Sequence, residues 1–207
     1  MHPRATLAAA AAAAALFTAP AAWAHAVTYV GTLSNQGEPA PAEQSLGTGQ
    51  VTLILNDDDF SMDLSVSFSN LTGQVSNSHL HCCTPTPGTG GAGVATPVPT
   101  FPGFPGTGSG VSGVKAGSYH QVFDMSLASS WNPAYITANG GSTAGAFAAL
   151  ATGLASGSAY LNIHTSFVPG GEIRAFLQAA PVPEPGSYAL MLGGLALLGW
   201  AGRRRSA

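Results

Sequence analysis

Phe60-Ser61-Met62-Asp63-Leu64-Ser65-Val66-Ser67-Phe68-Ser69-Asn70-Leu71 alternates apolar and polar residues almost without a break. Met62, Leu64, Val66 and Phe68 fall on one face, and Ser61, Asp63, Ser65 and Ser67 on the other. A period of two marks a half-buried strand, not a helix. Val51 to Leu55 precedes it across Asn56-Asp57-Asp58-Asp59, which predicts an antiparallel hairpin with a solvated acidic turn. Near the other end, Ala159, Leu161 and Ile163 alternate with Tyr160, Asn162 and His164; Pro169-Gly170-Gly171 then leads into Glu172 to Gln178, a second hairpin. Ile163 is expected in the core, with Asn162 on an outer face that tolerates polarity.

Val27 to Leu33, Val75 to His81 and Tyr119 to Leu127 are further strands on the same reading. Only one helix is predicted: Ser142 or Thr143 as N-cap, Ala144 to Leu154 as the body, and Gly157 as its end. Short strands joined by Gly- and Pro-rich turns predict an all-β fold, an antiparallel sandwich or barrel carrying one short helix. Cys82 to Gly113 differs in kind. It is rich in Pro and Gly and carries no charge, so it reads as a long irregular surface loop, either functional or disordered. Its two aromatics, Phe101 and Phe104, either tuck under the loop and pin it or stay exposed for a partner; pinning is the expectation.

Both ends carry processing signals. Arg4, an alanine-rich run from Ala5 to Phe17, Pro20 and the small-x-small site Ala22-Trp23-Ala24 have the build of a secretory signal peptide over residues 1–24, cleaved after Ala24, with Ala26 the second choice. That implies the Sec translocon and signal peptidase as partners. At the C-terminus Pro183-Glu184-Pro185 precedes an uncharged run from Tyr188 to Ala201 and then Arg203-Arg204-Arg205. The run is shorter than the ~20 residues that span a bilayer comfortably, and the arginines hold its end in the cytoplasm. Residues 181–207 thereby resemble the PEP-CTERM sorting tail of Gram-negative bacteria. The resemblance implies recognition by an exosortase, transient anchoring in the inner membrane by the apolar helix, and delivery of the body to the cell surface or exterior.

Between His25 and Val182 only Lys115 and Arg174 are basic, against eight acids. The resulting charge of about −6 argues against nucleic acid as a partner, which demands a basic surface. Residues 25–180, about 155 residues, make a single domain with one core.

The chemistry worth weighing lies in Ser78-His79-Leu80-His81. On a strand His79 and His81 share a face, about 6.6 Å apart along the chain, close enough to share a copper or zinc ion. His164 is the candidate third nitrogen ligand, with Glu172 or a cysteine as the fourth. Adjacent Cys82 and Cys83 have Cα atoms about 3.8 Å apart, below the usual disulfide range. They form a strained vicinal disulfide or a thiolate pair suited to copper(I) or zinc, or, in the bland reading, are unpaired, intermolecular or oxidised. In the plainer reading the histidines hydrogen-bond to backbone or neighbouring side chains and hold strands in register, and no cofactor is bound. Glu172 and Arg174, two apart on one strand, most simply pair with each other. The motifs of serine hydrolases, phosphate-binding loops and zinc proteases are missing from residues 25–180, which predicts no enzymatic activity.

Ala159-Tyr160-Leu161-Asn162-Ile163-His164-Thr165 and Pro169-Gly170-Gly171-Glu172-Ile173-Arg174, with the earlier His-x-His strand, resemble the CHRD domain, first described in chordin, over roughly residues 27 to 179. The resemblance implies an extracellular all-β module without an established general activity. The His-x-His strand is also similar to that of the copper/zinc superoxide dismutases, whose remaining ligand pattern is missing. Three roles follow. The first is an exported module with a binding or matrix role, with exopolysaccharide or other surface components as partners. The second is a copper- or zinc-binding, redox-active domain on His79, His81 and His164. The third is a carbohydrate-binding module using Phe101, Phe104 and Tyr119.

Overall fold

The computed structural model describes residues 26–108, 113–181, 191 and 193–195. Cleavage at Ala24, the Pro183-Glu184-Pro185 motif and the arginines 203–205 lie outside them. Among the described residues eight strands are present: β1 (Ala26–Leu33), β2 (Thr48–Asn56), β3 (Ser61–Ser69), β4 (Val75–His81), β5 (Gly117–Asp124), β6 (Tyr160–Thr165), β7 (Ile173–Phe176) and β8 (Gln178–Ala179). They form a five-stranded sheet in the order β5-β3-β2-β1-β8 and a three-stranded sheet in the order β4-β6-β7, every pairing antiparallel. The expected all-β fold and both expected hairpins are present.

The β2–β3 hairpin sets the register of the large sheet. Val51, Leu53 and Leu55 stand opposite Val66, Leu64 and Met62, and all six are buried. In its turn Asn56 and Asp59 accept from the backbone N–H groups of Asp58 and Ser61 through their side chains, at 3.0 and 3.1 Å. Such Asx turns explain why acidic and amide residues gather there. Tyr29 and Leu33 from β1 and Tyr119 and Phe123 from β5 extend the same inner face. Ser78, Leu80, Leu161, Ile163, Ile173 and Ala175 of the small sheet are buried and line up across its strands.

A register shift between Val75 and Asn77 decides which residues of β4 point where. With strict alternation Val75 would share a face with Asn77, His79 and His81. The bulge instead puts Val75 inward with Ser78 and Leu80, and turns the two histidines to the opposite face. Re-aiming a side chain is a recurrent use of bulges.

Two helices close the end of the core. α1 (Pro133–Ala138) starts at Asn132, whose side chain accepts from the Ala134 N–H, with proline in the first turn. It was not among the expected elements, although an N-cap residue followed by proline is a start signal. α2 (Thr143–Ala155) is capped by Ser142, which accepts from Gly145 N, and ends before Gly157, whose φ of +69° a side chain would strain. Its buried residues Ala146, Phe147, Leu150, Gly153 and Leu154 make one stripe, and Phe147 meets the ring of Phe60 at 4.8 Å.

The segment after β4, residues 82–108, is irregular and about half exposed, as expected of a surface loop, but several of its side chains lie inside. Phe101 and Phe104 are 0% and 1% exposed and pack against Phe68, Tyr119 and Phe123. Pinning is therefore the outcome. Each ring contributes roughly 1.5–3 kcal/mol by leaving water, which offsets only part of the entropy of ordering so long a loop. The loop also covers the free edge of β4: Cys82 N donates to Gly93 O, Ala95 N to Leu80 O and Phe101 N to Ser78 O, at 2.8–3.2 Å. Thr96 and Thr100 accept from Leu80 N and Ser78 N through their hydroxyls. An edge so covered offers no template to another strand.

Glu172 does not pair with Arg174. Its side chain turns into the interior, fully buried, where Oε1 accepts from Ser45 Oγ at 2.5 Å and Thr72 N at 2.6 Å, and Oε2 accepts from Thr165 Oγ1 at 2.6 Å and Gly73 N at 3.0 Å. Burial alone would push the carboxyl up in pKa, but these four bonds outweigh it and hold the group below its usual value. The anion ties together the β1–β2 connection, the β3–β4 turn and the end of β6. Glu172→Ala should lower stability by roughly 3–5 kcal/mol, because it strands several buried donors at once. Glu172→Gln should also destabilise, since its amide sets a donor against donors. Urea midpoints of the two variants check this; wild-type midpoints would mean that the tie is idle.

Candidate functional site

The outer face of the small sheet is polar, and its centre too is buried. Directly paired residues of antiparallel strands project to the same side, so the register places His79, Asn162 and Arg174 in one row and His81, Tyr160 and Phe176 in the next. His164 stands opposite Asn77 on that face. His79 is 4%, His81 7% and Asn162 2% exposed. The expectation that Asn162 lies on a solvated face is thus corrected: period two showed that the face is polar, but not that a loop covers it.

The cover comes from the loop after β4 and from the turn around Glu38. His79 Nε2 lies 2.7 Å from Pro99 O, His81 Nδ1 2.8 Å from Ala92 O, and His164 Nδ1 2.8 Å from Pro169 O. Arg174 donates through Nη1 to Gly90 O at 2.7 Å, and its Nε lies 3.5 Å from Glu38 Oε2. The guanidinium lies over Tyr160, 5.1 Å from the ring centroid, and that ring is stacked on His81 at 4.8 Å. Ion pairing of Arg174 across the strand row to Glu38 replaces the expected pairing with Glu172.

Among the described residues five buried side-chain atoms have no hydrogen-bond partner, and four of them belong to this layer: Glu38 Oε1, His81 Nε2, Asn162 Oδ1 and Arg174 Nε. Buried polar atoms are normally paired, so such a concentration singles out this layer as the candidate site. One ring nitrogen from each of His79, His81 and His164 lies within 4.8 Å of the other two. The three expected histidines therefore come together. Burial lowers the pKa of all three, that of His79 to about 4. Burial likewise raises Glu38 to about 7, against the opposing pull of Arg174.

The other candidate ligands are elsewhere. Cys82 and Cys83 are joined in a disulfide, and Cys83 Sγ lies 3.6 Å from the Ala149 carbonyl on α2. A Cβ at position 153 would collide with both sulfurs, so Gly153 is what lets α2 approach them. The side chain after His81 falls on the other face of the chain, which is why the sulfurs leave the histidine cluster. Glu172 belongs to the interior network already described. Phe101, Phe104 and Tyr119, named as a sugar platform, are core residues and present no ring face to solvent. Glu38 and Arg174 were not read from the sequence as partners. They are far apart in the chain, and only the fold joins them.

Residues 29–177 match the CHRD domain, and residues 181–205 match the PEP-CTERM protein-sorting motif. No curated protein and no solved structure matches the chain. The sorting motif implies processing by an exosortase and export by the secretion machinery, with membrane-anchored sorting on the way. Among the described residues no helix is long and apolar enough to cross a membrane.

The histidines set an acid limit on stability. Their folded-state pKa values lie below the unfolded value of about 6.5, so between the two the unfolded chain binds more protons and stability falls as pH drops. Glu38 works in the opposite sense, since its raised pKa lets the folded chain take up a proton between about 4.3 and 7. Three groups oppose one. The urea midpoint should therefore fall from about pH 6.5 toward pH 4, and fall more steeply in Glu38→Gln, which lacks the compensating uptake. A midpoint that is flat across this range in both proteins would contradict neutral buried imidazoles.

Proposed function

The chain belongs to the CHRD domain family, and on that footing we propose that it is an exported module which binds components of the cell surface or extracellular matrix, without catalysis. The observation that carries the reading is the order of its parts: a CHRD domain followed directly by a PEP-CTERM motif. A module so tagged reaches the inner membrane through its apolar C-terminal run, is released from that tail by an exosortase, and ends at the cell surface or outside the cell.

Surface chemistry supports a binding role. A cleft of about 390 Å³ is lined by Thr32, Ser34, Gln36, Thr89, Arg174 and Phe176 among others. Hydroxyls and an amide around one guanidinium and one ring edge suit a hydroxylated ligand such as the sugars of an exopolysaccharide, which needs many hydrogen-bond partners and one flat apolar surface. The histidine layer beside it is covered by the loop, and one nitrogen of each ring is tied to a backbone carbonyl. That arrangement suits a held structure better than turnover.

Intact-mass spectrometry of the surface fraction from the native host should show a chain that starts at His25 or Val27 and ends near Pro183-Glu184-Pro185. A mature pool that retains Arg203 to Arg205 would sink the exosortase reading. Co-sedimentation of the exported chain with the host's own exopolysaccharide tests the binding role. Phe176→Ala should release it to the supernatant with its fold intact by circular dichroism, whereas equal sedimentation of variant and wild type would remove the cleft from the account.

A further inference from the structure

The proton count of the three histidines leads to a metal. A backbone carbonyl can only accept, so the nitrogens facing Pro99 O, Ala92 O and Pro169 O carry the ring protons: His79 Nε2, His81 Nδ1 and His164 Nδ1. In neutral rings the other nitrogens are bare lone pairs. His79 Nδ1 then faces His164 Nε2 at 3.4 Å, and His81 Nε2 is buried with the side chain of Asn162 beside it but no well-formed hydrogen bond. Two lone pairs that face each other this closely repel unless a cation lies between them. Donation of the second ring N–H to a carbonyl is also how ligating histidines are generally held, since it fixes the tautomer and raises the basicity of the free nitrogen.

We propose that His79, His81 and His164 form a closed three-imidazole site for a single d10 metal ion, copper(I) or zinc(II). Bonds of about 2.0–2.1 Å from an imidazole nitrogen to the ion require nitrogens roughly 3.3–3.6 Å apart. The His79–His164 pair at 3.4 Å already meets this. The remaining separations, up to 4.8 Å, close with ring shifts of about 1 Å. The donor set excludes magnesium and calcium, which take oxygen ligands. Imidazoles without carboxylate or thiolate suit copper and zinc, whose d10 ions impose no geometry of their own.

The ion would tie the loop to the sheet through the bonds already present. Metal on His81 Nε2 and His79 Nδ1 strengthens the N–H groups that hold Ala92 and Pro99, so the cover of the sheet and the site stabilise each other. This inference does not rest on the surface-binding reading, and its test is independent of polysaccharide.

The exported chain, purified without an affinity tag and stripped with a chelator, is titrated with zinc(II) and, anaerobically under reductant, with copper(I). One equivalent of either ion should bind and raise the unfolding midpoint, because a ligand that binds only the folded state stabilises it by mass action. His164→Ala should lose more than the about 10–100-fold in affinity that removal of an outer-shell partner costs. His120→Ala should bind like wild type, since His120 lies on the surface beside Asp63, 3.0 Å away. Should His164→Ala fail to fold, X-ray absorption of the loaded wild type decides: three imidazole nitrogens at about 2.0 Å support the site. Binding of neither ion, equal binding by His164→Ala, or a first shell without three imidazoles overturns it.

Discussion

The buried carboxylate of Glu172 is the constraint on which the rest depends. Its four bonds reach Ser45, Thr72, Gly73 and Thr165, so one side chain holds the connection between β1 and β2, the passage from the large sheet to the small one, and the end of β6. An anion in the interior is tolerable only when each lone pair finds a donor, and here two hydroxyls and two backbone amides supply them. The same hydroxyl of Thr165 also accepts from the N–H groups of Phe167 and Val168, shaping the turn that leads to Pro169. It is the Pro169 carbonyl that orients His164. A tie made for folding thus reaches, through one turn, to the ring that completes the histidine cluster.

The small sheet is covered on both faces by different chemistry. Its inner face is aliphatic and needs no partner beyond shape. Its outer face carries three imidazoles, two amides, a guanidinium and two aromatic rings, and each polar group brought out of water must be answered. The loop answers with backbone carbonyls at Gly90, Ala92 and Pro99. This explains why the segment holds no charged residue: its main chain, not its side chains, does the recognising, and glycine and proline let the carbonyls turn inward.

Period-two alternation read the strands well because it reports which side of a sheet is apolar, and Ser142 and Gly157 marked the long helix because their capping roles are local. The outer face was misjudged for the same reason that the inner one was not. A polar row such as Asn162 and His164 looks alike whether water or a polar loop covers it, and only the whole fold tells which. Tyr160 and Phe176 on that face were the available hint, since two large rings are poorly placed in water. The bulge at the start of β4 and the pairing of Arg174 with Glu38 had no comparable signal. The first depends on matching two strands, the second on segments that meet only after folding. Asn132-Pro133 was legible and passed over, because α1 is too short to show a helical period.

The loop is shared property, and that has a thermodynamic consequence. Gly88, Thr89 and Gly90 line the cleft beside Arg174, while Ala92 and Pro99 of the same loop fix the histidines. Arg174 itself belongs to both, since its guanidinium contributes to the cleft and lies over the Tyr160 ring that stacks on His81. Anything that orders this loop from one side reduces the entropy left to lose from the other, so occupants of the cleft and of the histidine cluster would be positively coupled. Linkage makes that coupling reciprocal. On the proposed roles, a hydroxylated ligand in the cleft and an ion among the histidines would each be held more firmly in the presence of the other.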